Sequence, residues 1–137
     1  MKKLTLVFSL FSLILFSCGN DDDNGDSITQ DPFIATWQYY KYFEDGTEIV
    51  LEDCETQSTF QVFENGDFMS TFYELDTNDD CQIEGTTNGT WENVGNGFYS
   101  TTFDGETVTS EVHFDGNTLY FEDVDGGITY RDVYIKI

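Results

Sequence analysis

From Phe33 to the end, the chain is written in short runs of aromatic and β-branched residues broken by turn dipeptides. The breaks are Asp45-Gly46, Asn65-Gly66, Asn96-Gly97, Asp104-Gly105, Asp115-Gly116 and Asp125-Gly126. Such pairs tolerate the positive φ of a tight hairpin turn. From residue 96 onward they recur about every ten residues, the spacing of a β-meander. The runs between them predict strands at 33–43, 47–52, 57–63, 67–75, 81–93, 98–103, 107–114, 118–124 and 128–136, with a possible break near Gly85. Val108, Ser110, Val112 and Phe114 share one face of their strand; Thr107, Thr109, Glu111 and His113 share the other. No stretch after residue 33 has a helical period, and frequent Gly and Asn oppose one. Eight or nine sequential strands leave edges exposed unless the sheet closes. The expected fold is therefore all-β: an antiparallel up-and-down meander closed into a small barrel. A two-sheet sandwich is the alternative.

The start of the chain follows another pattern. Lys2 and Lys3 precede the apolar run Leu4–Phe16, which closes on Leu15-Phe16-Ser17-Cys18. A charged n-region, an apolar h-region and a small residue before the cut make a secretory signal. The apolar run is shorter than the ~20 residues that span a bilayer. Leu15-Phe16-Ser17-Cys18 resembles the lipobox of bacterial lipoproteins, in which the cysteine receives the lipid. The resemblance implies a signal peptide at 1–17, lipidation at Cys18 and a membrane link through that lipid. Residues 18–32, opening Cys-Gly-Asn-Asp-Asp-Asp-Asn-Gly-Asp, read as an acidic disordered tether. An acidic run after the lipidated cysteine resembles the surface-export signal of Bacteroidota lipoproteins, which implies the outer face of the outer membrane. Asp26-Ser27-Ile28 is similar to the short O-glycosylation motif of that group; an ordinary linker serine is the alternative.

At its first strand the domain reads Phe33-Ile34-Ala35-Thr36-Trp37, and Gly89-Thr90-Trp91 comes later. Lipocalins begin their barrel with Gly-x-Trp; here Ala35 stands at the Gly position. With Cys54, Thr59–Phe68 and Cys81 between them, these residues resemble the lipocalin-like domain of small secreted Bacteroidota lipoproteins, over about 33–137. The resemblance implies a barrel whose base is closed by Trp37. It also implies that an Arg of the last strand lies over that Trp. Arg131 is the candidate by position, with a solvent-exposed Arg as the alternative.

Charge narrows the partners. The chain has 5 Lys+Arg against 27 Asp+Glu, a net charge of −22. Loss of Lys2 and Lys3 with a signal would leave three basic residues against the same 27 acids, or −24. Nucleic acid binding needs cations against phosphates, so no nucleic-acid partner is expected. Scattered acids favour plain solubility over a dedicated cation site. Cys54 and Cys81 remain after Cys18. An oxidising compartment favours a bridge between them; buried free thiols are the alternative.

Catalytic chemistry finds little footing. The single His113 shares a face with Thr107, Thr109 and Glu111, which points it to solvent. No Gly-rich loop leads into a helix. Asp76–Asp80 and Glu122–Gly126 are oxygen-rich but lack EF-hand spacing, so they read as solvated loops. No metal or cofactor is expected. The 13 Phe, 8 Tyr and 2 Trp are more than a small core hides. Trp37, Phe60, Phe72, Trp91, Phe114 and Phe121 are the candidates to line or plug the interior. Tyr39, Tyr40, Tyr42, Tyr120 and Tyr134 are candidates for outward display. The expected function is a non-enzymatic, lipid-anchored barrel that binds a small apolar ligand. A surface module for adhesion, glycan or protein contact, without an internal ligand, is the alternative.

Overall fold

A computed structural model describes residues 30–137. The expected signal peptide, Cys18 and the motif at Asp26-Ser27-Ile28 lie outside the described residues. Ten strands form one antiparallel sheet: β1 (Thr36–Glu44), β2 (Thr47–Ile49), β3 (Thr59–Val62), β4 (Asp67–Leu75), β5 (Cys81–Gly95), β6 (Phe98–Phe103), β7 (Glu106–Glu111), β8 (His113–Asp115), β9 (Thr118–Asp125) and β10 (Ile128–Lys136). A 3₁₀ turn at Glu55–Gln57 sits between β2 and β3. The sheet runs β7-β6-β5-β4-β3-β1-β10-β9-β8, with β2 paired to β1. The first and last long strands are therefore neighbours, with Trp37 opposite Lys136 and Glu44 opposite Tyr130.

Turn chemistry places the hairpins. Asp45-Gly46 connects β1 to β2 with both residues at positive φ, 46° and 76°. At Asp125-Gly126 the turn slides by one residue: Asp125 pairs with Ile128, and Gly126-Gly127 form the loop. The second glycine accepts the positive φ that would strain a side chain.

Closure differs from the expected complete barrel. The run read as one strand, 107–114, changes partner at Val112. Before it, Glu111 pairs with Phe98 of β6; after it, His113 pairs with Tyr120 of β9. Val112 is buried and its N–H bonds the Gly97 carbonyl at 2.8 Å. β7 and β8 are the two ends of the strand order, and the chain running through Val112 joins them at the end here called the base. Above it, β7 keeps β6 and no ladder joins β7 to β9. The seam between β7 and β9 is therefore not hydrogen-bonded as a ladder.

Two bulges adjust the wall. In β1 the register shifts between Tyr39 and Lys41, so Tyr40 is the extra residue. In β5 it shifts opposite Phe72 and Tyr73, so Glu84 is the extra residue beside Gly85. The expected break at Gly85 is thus a bulge within a continuous strand. Bulges bend a strand and re-aim side chains.

The core lies at the base: Phe33, Trp37, Val62, Tyr99, Val112 and Leu119 are all buried. Just ahead of Phe33, Asp31 is tied to the domain. The Asp31 carboxylate accepts hydrogen bonds from the Phe33 N–H and the Tyr99 hydroxyl, each at 2.9 Å. At the other end, Cys54 and Cys81 form a disulfide, tying the 3₁₀ turn to the start of β5.

Candidate functional site

Aromatic packing seals the base. The Trp37 indole donates to the Phe33 carbonyl at 2.9 Å and leaves 2% of the residue exposed. Its ring lies 6.4 Å from Phe60 and 6.2 Å from Phe114. Lys136, directly across the ladder, puts its Nζ 6.0 Å from the indole centroid. Arg131 does not cover this ring. It stacks outside on Tyr120, 4.6 Å from the centroid, and donates to Glu122. The reason is register: Arg131 pairs with Phe43, far up β1 from Trp37.

Trp91 repeats the Trp37 arrangement, donating its indole N–H to the Phe63 carbonyl at 2.8 Å. Its Gly-x-Trp glycine is required sterically, because a Cβ at Gly89 would lie 2.2 Å from the Thr102 carbonyl oxygen and 2.5 Å from the Phe68 ring.

Above this base lies a cavity of about 260 Å³. Phe33, Val62 and Tyr99 of the core form its floor. Phe60, Phe68, Phe103, Phe121 and Tyr134 form the walls. Ser70, Thr101 and Ser110 supply the polar points. Ser110 and Phe121 stand on β7 and β9, so the cavity lies beside the seam that no ladder joins. The volume exceeds the ~150 Å³ of an apolar cavity that takes up benzene.

A second, more polar chamber of about 310 Å³ shares Phe60, Ser70 and Tyr134 with the first. Tyr39, Phe72 and Tyr73 line it together with Glu55, Glu84 and Asp132. Tyr39 donates to Asp132 at 2.7 Å. Burial, then the Asp132 hydrogen bond and charge, hold the Tyr39 hydroxyl far above the usual phenol range. Burial and the Asp132 charge act likewise on Tyr134.

The six sequence candidates divide accordingly. Phe60 and Phe121 line the apolar cavity, and Phe72 lines the polar chamber. Trp37 is core at the base, Trp91 packs against that core, and Phe114 lies beside Trp37 and Tyr99. Phe68, Phe103 and Tyr134 escaped sequence reasoning. Phe68 and Phe72 share a face with Ser70 at period two, a signal already present in the sequence.

Most tyrosines expected outside are engaged within the fold. Tyr39 and Tyr134 point into the chambers. Tyr42 stacks on Tyr130 at 6.3 Å, and Tyr120 stacks on His113 at 4.6 Å. Tyr40, on its bulge, is 46% exposed. Among the described residues, no group of three or more His, Cys, Asp or Glu side chains is arranged to hold a metal ion. In the Asp76–Asp80 loop the Asp76 carboxylate instead accepts the N–H groups of Asn78 and Asp80, at 2.8 and 2.9 Å.

A meander folded back on its first strand, with a Trp-sealed base and an interior cavity, defines a small barrel of the ligand-holding type. The family model described as "lipocalin-like domain" matches residues 33–130, and the chain belongs to that family. The comparison with curated proteins gives no match.

Proposed function

We propose that the chain is a lipid-anchored protein of the cell envelope, attached through Cys18 and displayed on the outer membrane, and that its barrel is a non-enzymatic binder of a small apolar molecule. The observation that carries the binding reading is the apolar cavity of about 260 Å³ above a sealed aromatic base. Removing apolar ligand surface from water contributes about 25 cal/mol per Å². Ser70, Thr101 and Ser110 would orient a polar end within an otherwise aromatic wall.

Calorimetric titration of octanol into the purified domain tests the binding reading. Saturable one-to-one binding is expected, and Ser70→Phe should abolish it by filling the cavity. Absence of saturable octanol binding to the folded domain would overturn the reading. The anchor has its own test. Cys18→Ala should move the protein from the membrane to the soluble fraction, and protease added to whole cells should digest the wild type. Retention of the variant in membranes would rule out lipid attachment at Cys18.

A further inference from the structure

The two chambers are neighbours that share Phe60, Ser70 and Tyr134 in their linings, and their chemistry differs. The lower one is aromatic; the upper one carries the carboxylates of Glu55, Glu84 and Asp132. Among the described residues, no cation answers those carboxylates. The three basic residues of the described region stand elsewhere: Lys41 pairs with Glu48, Arg131 with Glu122, and Lys136 lies by Trp37. None of them lines either chamber.

Two further features aim at the junction. The β5 bulge inserts Glu84 as an extra residue, and it lines the upper chamber. The Tyr134 side chain sits deep at the shared wall, crowded by Phe60 and Phe121 at 4.9 and 5.9 Å. It is enclosed enough to hold its proton far above the usual phenol range. Yet its hydroxyl has no hydrogen-bond partner among the described residues, whereas the Tyr39 hydroxyl has Asp132. The hydroxyl is accessible rather than a buried atom left unpaired, so a ligand atom there would take the place of water.

We propose that the ligand is a cationic amphiphile: an apolar body in the lower chamber and an ammonium group in the upper one, among Asp132, Glu84 and Glu55. This rests on the apolar-cavity reading above and adds the head group. An ammonium supplies only donors, which carboxylates and a phenol oxygen can accept. The aromatic faces of Phe60 and Phe72 add a cation–π attraction. The same chamber repels a fatty carboxylate, since Glu55, Glu84 and Asp132 carry the same charge.

The test compares octylamine, octanol and octanoate at neutral pH by calorimetry on the full folded domain. Octylamine is expected to bind about tenfold tighter than octanol, near the 1.4 kcal/mol of one added charged hydrogen bond, with octanoate the weakest. Asp132→Asn with Glu84→Gln should remove the amine preference, bringing octylamine to the affinity of octanol. Glu84→Gln alone, at an exposed position that burial does not stabilise, should reduce it in part. Equal affinity for amine and alcohol, or tighter binding of octanoate, would overturn the head-group assignment while the apolar reading stands. A preference that survives both variants would overturn it too, assigning the attraction to the diffuse charge of the chain. Failure of all three probes to bind would overturn both readings.

Discussion

The base and the mouth of this barrel solve the same closure problem in different ways. At the base, Trp37, Phe33, Val112 and Leu119 pack together, and the chain crosses at Val112 from the β6 ladder to the β9 ladder. At the mouth, β7 and β9 share no ladder with each other, the chambers open, and a disulfide ties the 3₁₀ turn to β5. The difference follows from composition. Residues 33–37 and 112–121 bring large apolar side chains to one level, whereas Glu55, Glu84 and Asp132 gather at the other. The base holds the fold, and the proposed ligand space lies above it.

The largest expected effect breaks the base. Trp37→Ala removes a buried indole and its bond to the Phe33 carbonyl, and should cost about 3–5 kcal/mol in denaturant unfolding. A cost below about 1 kcal/mol would mean that the base is not where stability lies. Next comes the mouth. Reduction of the Cys54–Cys81 bridge, which spans 27 residues in sequence, frees a loop whose closure entropy is about 3.5 kcal/mol in the chain-entropy model. The melting temperature should fall, with hydrogen exchange rising first around the 3₁₀ turn and the start of β5. An unchanged melting temperature would leave the mouth held by something else.

A smaller effect sharpens the comparison within β5. Gly89→Ala drives a methyl group into the Thr102 carbonyl and the Phe68 ring, for about 1–3 kcal/mol of overpacking. Phe68 lines the cavity, so octanol affinity should fall with it. Stability and affinity changing independently there would separate the wall from the site.

The smallest effect at neutral pH appears only in alkali. Tyr39, Tyr99 and Tyr134 have phenol pKa values raised chiefly by burial. A raised folded pKa means that the unfolded chain loses the proton first. The stabilising contribution is complete below the ordinary phenol pKa of about 10 and is lost as pH rises beyond it. These phenols should ionise together with unfolding in an alkaline titration followed by tyrosinate absorbance. Ionisation of all tyrosines in a still-folded domain would contradict their burial.

Much of the strand pattern was legible because local chemistry writes it. Asp45-Gly46 and Asn96-Gly97 mark their hairpins, and Phe121 alternates inward from Leu119 as a half-buried strand requires. What failed to show depended on long-range register. Nothing near Val112 announces a change of partner, since both neighbours come from other strands. The bulges at Tyr40 and Glu84 are extra residues only relative to a partner strand. Lys136 rather than Arg131 reaches Trp37 because β1 and β10 pair across almost the whole domain. The candidate site suffered for the same reason. Aromatic residues could be assigned to the interior, but not to base, wall or upper chamber, until the strands had levels relative to one another.

The central claim is that the space between base and mouth receives a ligand. Intermolecular nuclear Overhauser effects from octanol added to the isotope-labelled domain test it most directly. The expected result is contacts from the alkyl chain to the rings of Phe60, Phe68, Phe103 and Phe121. Contacts confined to outer residues such as Tyr40 or Val124, with none to those four rings, would contradict it.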